Sequence, residues 1–153
     1  MKTVVKTAVE PLAYNKKLLD CFVFDLDGTL ALMGNREPFE WSKVGLDKPN
    51  FGAVKVAEYL DLSGLTIFIL TGRDEVCREL TEEWLDKQRI NYDHLLMRKR
   101  GDNRQDTIVK KEIYDAKIRG NYNVLAIFED RKRMVNVWRN LGLTCFQVAE
   151  GDY

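Results

Sequence analysis

The sequence predicts an α/β fold: a three-layer, Rossmann-like arrangement with a parallel sheet between two layers of helices. Three observations carry this. Short runs that are apolar throughout recur along the 153 residues, and such runs read as strands buried on both faces, which implies parallel pairing. Segments with apolar residues at helical spacing separate the runs, and this alternation builds three layers with right-handed crossovers. Gly64, Gly120 and Gly142 each stand between a helical segment and the next run, where helix-ending glycines belong.

The elements follow in order. Residues 1–17 are weakly patterned and are expected to form an N-terminal arm or an edge element. Leu18–Phe24 is the first strand and runs into acids. Asn50–Leu60 is a helix, with Val54, Ala57 and Leu60 on one face. Leu65–Leu70 is a buried strand rich in Ile. Glu75–Lys87 is a helix burying Val76, Leu80, Trp84 and Leu85. Tyr92–Met97 is a shorter strand, and Asp106–Ile118 a helix with Val109, Ile113 and Tyr114 inward. Val124–Phe128, the helix Arg133–Leu141 and Leu143–Val148 complete the set.

Length and composition bound the function classes. A chain of this length is expected to be one domain, here residues 1–153, with room for a core. Hydrophobic residues make up 45% and charged residues 31%, as in soluble globular proteins. No apolar run approaches the ~18 residues of a membrane helix, and Met1 to Glu10 lacks a secretory signal's apolar stretch. No membrane partner is expected. Cys21, Cys77 and Cys145 are odd in number and never form a C-x-x-C pair. They read as free thiols in a reducing cytoplasm. With 24 Lys+Arg against 24 Asp+Glu, the formal net charge is zero, so no global field steers the chain toward nucleic acid.

In an open parallel sheet, ligands bind beyond the carboxyl ends of the strands. There the sequence places Asp25-Leu26-Asp27-Gly28-Thr29-Leu30, Thr71-Gly72-Arg73-Asp74 and Glu129-Asp130-Arg131. Asp25 and Asp27 with Glu129 and Asp130 would repel one another if bare. Oxygen donors with no His or Cys call for a hard cation, most simply Mg²⁺. The alternative is a solvated acidic rim. Thr71-Gly72-Arg73 is expected to open a helix, where backbone N–H groups and a hydroxyl bind anions; alone it would read as an ordinary cap, but beside the acid cluster the anion site is the stronger reading. Asp106 and Lys110 share a helix face four residues apart, and by spacing alone they read as a surface ion pair.

The string D-x-D-G-T-L after a buried strand resembles the first motif of the haloacid-dehalogenase superfamily of phosphohydrolases. Thr71 matches the second motif, Lys110 the third and Glu129-Asp130 the acidic fourth. The segments FDLDGTLA, TGR, GDNRQDTIVKKEI, EDR and CFQVAEGDY resemble, more closely, the 3′-phosphatase domain of phage polynucleotide kinase/phosphatases. The resemblance runs from about Leu18 to Tyr153. It implies a capless haloacid-dehalogenase fold and a Mg²⁺-dependent phosphomonoesterase acting on 3′-phosphate ends of DNA or RNA, in the cytoplasm of a host cell if phage-borne. Asp25 would be the nucleophile and Asp27 the general acid and base. Asp25, the Asp27 carbonyl and Asp130 would hold the ion, with Glu129 reaching it directly or through water. Thr71, Gly72 and Lys110 would hold phosphate oxygens. Arg36 and Arg73 would grip the phosphate or its nucleotide, with Thr29 and Arg104 also on the substrate. Asp106 would hold Lys110, which replaces the surface-pair reading.

Two departures from that family stand out. No G-x-x-x-x-G-K-[ST] phosphate loop of a kinase occurs, which leaves open a separate kinase or ligase as partner. The fourth motif is Glu-Asp rather than Asp-Asp. Leu30 to Phe51 reads as a long loop, and Asp74 to Asp106 as one helix, one strand and a short loop. Neither holds a cap domain, so the site should be open. From Arg98 to Lys111 there are six basic residues and two acids, a stretch that can track a phosphate backbone or merely be a charged loop. Phe39 and Trp41 can stack on a base or plug the core, and His94 reads as structural. The rival enzyme reading is a phosphatase of free nucleoside monophosphates. A receiver-type signalling module would need an Asp where Met97-Arg98-Lys99 stands, and an inactive binding subunit would not need the full acidic and basic set.

Overall fold

A computed structural model describes residues 9–152 of the chain. Seven strands and four α-helices are formed among them. The strands are β1 (Leu19–Phe24), β2 (Ala31–Leu32), β3 (Lys48–Pro49), β4 (Thr66–Asp74), β5 (His94–Arg98), β6 (Tyr122–Arg131) and β7 (Cys145–Gly151). The helices are α1 (Phe51–Leu62), α2 (Arg78–Lys87), α3 (Asp106–Lys117) and α4 (Lys132–Asn140).

Five strands form one sheet in the order β5-β4-β1-β6-β7. Every pairing in it is parallel. The buried apolar runs explain this, since a strand hydrophobic on both faces needs helices above and below it. Alternate residues face opposite sides. Phe24, Ile67 and Ile69 pack with Ala57 of α1 and Trp84 and Leu85 of α2. Cys21, Val23, Phe68 and Leu70 pack with Tyr114 of α3 and Met134 and Trp138 of α4. Truncating Trp84 or Trp138, each 1% exposed, would cost about 3–5 kcal/mol. The expected α/β fold and its strand–helix order are both present.

Register sets the site. Phe24 lies opposite Ile69 of β4 and Phe128 of β6. The residues that leave β1, β4 and β6 therefore emerge side by side at one sheet edge.

Two expectations need correction, and two open alternatives are narrowed. First, the segment from Leu30 to Phe51 is not a mere loop. It folds into the antiparallel pair β2–β3 and a 3₁₀ turn at Trp41–Leu46. Val44 is buried in the core and Trp41 packs against it, while the Trp84 indole N–H donates to the Asp47 carbonyl at 2.7 Å. Second, Thr71-Gly72-Arg73 does not open a helix: β4 continues through Asp74. The Asp74 carboxylate then caps the Val76 N–H at 2.8 Å, and a 3₁₀ turn at Glu75–Cys77 precedes α2.

Third, four of the six cations of the basic stretch are tied up within the fold, while Lys99 and Arg100 are exposed. Arg98 and Lys110 are buried. Arg104 is held by Asp102 and Glu112, and Lys111 by Asp115. Fourth, of the two forms expected for the N-terminal segment, residues 9–17 show the arm and no strand. They lie along the fold, with the Leu12 N–H on the Gly142 carbonyl at 3.2 Å. Residues 1–8 of the expected arm lie outside the described residues. His94 does pack structurally, stacked on Phe68. Cys21, Cys77 and Cys145 are free and buried. Among the described residues no helix is long and apolar enough to cross a membrane.

Candidate active site

The site grows from the turn after β1. Leu26 and Leu30 are fully buried, so the alternation Asp-Leu-Asp anchors the leucine inward and turns the flanking carboxylates outward. The Leu26 carbonyl accepts from the Thr29, Leu30 and Ala31 N–H groups at 3.2, 3.0 and 2.8 Å. Gly28 supplies the left-handed residue this turn requires, at φ 82°, where a Cβ would be strained.

Asp25 is the centre of a charged cluster. Lys110 of α3 donates to its Oδ1 at 2.5 Å and to Glu129 Oε2 at 2.9 Å. The Thr29 hydroxyl donates to Asp25 Oδ2 at 3.1 Å. Thr29, expected on the substrate, is fully buried and spends its hydroxyl on Asp25. Burial pushes the Asp25 carboxyl well above its ordinary range, with the charge of Glu129 in support and that of Lys110 opposed. Burial raises Glu129 as well, against Lys110. Burial by itself would lower Lys110, but Asp25, Glu129 and Asp106 outweigh it and hold the ammonium well above the lysine range.

Carboxylate oxygens of Asp25, Glu129 and Asp130 lie within 4.8 Å of one another. The Lys110 ammonium bonds two of these three carboxylates, Asp25 and Glu129. All donors are oxygen, as a hard divalent cation demands. The residues fit Mg²⁺.

Asp27 belongs to a second network. It accepts from Arg36 Nη2 at 2.8 Å and from Arg73 Nη2 at 2.7 Å. Both guanidiniums also grip Asp47, Arg36 Nε at 2.7 Å and Arg73 Nη2 at 2.7 Å. Arg73 Nη1 adds the Thr81 hydroxyl at 3.1 Å. Arg73 is 0% exposed and Arg36 9%. Both expected substrate grips thus hold Asp27 and Asp47 in this structure, Arg73 with no exposed surface. Asp47 escaped sequence reasoning. A lone acid in a segment read as loop carries no periodic signal, and only folding of that segment brings it between two arginines.

A third network sets the opposite wall. Arg98 at the end of β5 donates to the Gly72 carbonyl at 2.8 Å and to the Asp102 and Arg104 carbonyls at 2.9 and 2.6 Å. It also reaches Asp106 Oδ1 at 3.3 Å, while Arg131 takes Asp106 Oδ2 at 3.2 Å. Asp106 is only 3.9 Å from Lys110, so its strongest partners are the two arginines. The sequence singles out Arg98 only as the start of a basic stretch, and its role as an internal clamp carries no sequence signal. Gly72 sits against Asp106 so closely that a Cβ would meet Oδ1 at 2.1 Å.

These networks line a cavity of about 520 Å³ that includes Asp25, Asp27, Gly72, Asp106, Lys110, Glu129 and Asp130. Thr71 is fully buried behind it. Phe39, 76% exposed, stands at its rim, in edge contact with Trp41. Arg104, 50% exposed at its side chain, lines the cavity while paired to Asp102 and Glu112.

Residues 19–153 match the model of the polynucleotide kinase PNKP phosphatase domain. A protein of Autographa californica nuclear polyhedrosis virus, described as a bifunctional polynucleotide kinase/RNA ligase, is 34% identical over 133 residues. That match covers 84% of this chain and 19% of the viral protein. A chain in the structure of the Pnkp1/Rnl/Hen1 complex superposes with a TM-score of 0.93 at 38% identity. It covers 97% of this chain and 52% of that one. The present chain thus spans about half, or less, of these relatives. The D,D-heptose 1,7-bisphosphate phosphatase of B. bronchiseptica, solved with magnesium and phosphate, shares the fold at 12% identity, with a TM-score of 0.59 over 88% of this chain and 83% of that one. The chain is a phosphatase, and it belongs to the polynucleotide kinase PNKP phosphatase-domain family of the haloacid-dehalogenase fold.

Proposed function

We propose that the chain removes the terminal 3′-phosphate from DNA or RNA ends in two steps through an aspartyl-phosphate. The observation that carries this is the pair of Asp25, fixed by Lys110 and Thr29, and Asp27, fixed by Arg36 and Arg73, at the floor of one cavity.

Asp25 attacks the phosphorus in line, and the leaving alcohol takes its proton from Asp27. Asp27 then removes a proton from the water that hydrolyses the intermediate. The two guanidiniums hold its carboxylate in one place through both steps. Lys110 and the Gly72 N–H, with Thr71 behind them, stabilise the equatorial oxygens as charge spreads over them. Asp25, Asp130 and the Asp27 carbonyl would hold Mg²⁺, with Glu129 at the ion directly or through water. The ion, when bound, supplies the positive charge that lets an anionic nucleophile approach an anionic phosphate.

The PNKP family model, the viral relative's kinase/ligase description and the likeness to a chain of an RNA ligase-containing complex support a nucleic-acid end as substrate. They also support a kinase or ligase activity as its companion, on another chain or another part of a longer one. The test is phosphate release from 3′-phosphorylated DNA and RNA oligonucleotides against nucleoside 3′-monophosphates at equal concentration. Faster release from oligonucleotides, abolished in Asp25→Asn, is expected. Equal or faster turnover of the mononucleotides would favour a nucleotide phosphatase instead.

A further inference from the structure

The cations expected to receive a polynucleotide are mostly spent inside the molecule. Of the arginines that line the cavity, Arg98 is bound to three carbonyls and Asp106. Arg104 is locked between Asp102 and Glu112, and Arg131 is on Asp106. Arg133 also lines the cavity. It is exposed, and it makes no hydrogen bond or ion pair among the described residues.

Its position is unfavourable for the fold. Arg133 follows Lys132 in the first turn of α4, a turn with no acidic residue. A cation at a helix N-terminus opposes the helix dipole. Met134, Val135 and Trp138 bury the inner face of α4, which fixes the helix and holds Arg133 at the cavity mouth. A charge kept where it costs stability, with no internal partner, points to an external anion.

The terminal phosphate already has Lys110 and the acidic cluster's cation site at the cavity floor. The next anion along a 3′-phosphorylated strand is the phosphodiester on the 5′ side of the terminal nucleoside. We propose that Arg133 binds that phosphodiester and is the residue by which the enzyme prefers a polynucleotide end to a free mononucleotide. This stands on the reading of the site as a nucleic-acid end phosphatase.

The test compares three substrates: a nucleoside 3′-monophosphate, a nucleoside 3′,5′-bisphosphate and a short 3′-phosphorylated oligonucleotide. The wild type is expected to prefer the last two through KM. Arg133→Ala should lower that preference about tenfold, again in KM rather than kcat. It should reduce the slope of log affinity against log salt by about one, and Arg133→Lys should restore most of the preference. The melting temperature of Arg133→Ala should not fall, since a misplaced charge has been removed. A loss equal on all three substrates would assign Arg133 to the terminal phosphate, and no loss on any would leave it outside recognition; either overturns the proposal. A wild type that releases no phosphate from any of them would overturn the phosphatase reading of this site itself, and the proposal with it.

Discussion

Arg73 of β4 donates to Asp47 at 2.7 Å with 0% and 1% of the two side chains exposed. This buried pair, shared with Arg36, is what holds Asp27 in place.

Removing one partner of a buried pair leaves its neighbour uncompensated, at a cost of about 3–5 kcal/mol. Asp47→Ala is therefore expected to lower stability by that order in denaturant unfolding. Asp47→Asn keeps the volume and loses the charge. It should fold, yet lose on the order of 100-fold in kcat, as a mispositioned Asp27 would dictate. Wild-type kcat in Asp47→Asn would contradict the network's role.

Gly72→Ala adds one methyl where Asp106 Oδ1 lies 2.1 Å away. Asp106 cannot yield freely, because Arg98 and Arg131 hold its two oxygens. A cost of about 1–3 kcal/mol is expected from overpacking, together with a loss of activity. In Gly72→Ala/Asp106→Ala the clash is gone, so the two costs should be less than additive in a double-mutant cycle. Additive costs would show that the contact is not felt.

The acidic cluster makes stability respond to Mg²⁺ and to pH. At a Mg²⁺ concentration 100 times its Kd, the fold should gain about 2.7 kcal/mol, read as a rise in melting temperature and reduced in Asp130→Asn. Asp25 and Glu129 are raised above the ordinary carboxyl range by burial. The folded state therefore keeps protons that the unfolded state has released, and this contribution falls as pH rises above about 4. Without Mg²⁺ the wild type should lose more stability than Asp25→Asn as pH climbs from there. A melting temperature indifferent to Mg²⁺ would count against the metal site, and EDTA-resistant phosphate release would count against the mechanism.

Much of this molecule was legible in one dimension. Continuous apolar runs such as Leu65–Leu70 announce a doubly covered strand, because hydrophobic burial acts locally and leaves a local pattern. The acids that end β1 and β6 announce an anionic site, because a parallel sheet delivers successive strand ends to one edge. What each charged group does there was not legible. Arg36 and Arg73 read as hands for the substrate, but the fold spends them on Asp27 and Asp47. Arg98 reads as part of a basic patch, but it is a buried clamp on Gly72, the loop after β5 and Asp106. Charge in a sequence carries no address. Only tertiary structure decides which cation is neutralised within the fold and which, like Arg133, is left facing the cavity, because ion pairing depends on distances of a few ångströms between segments far apart in the chain.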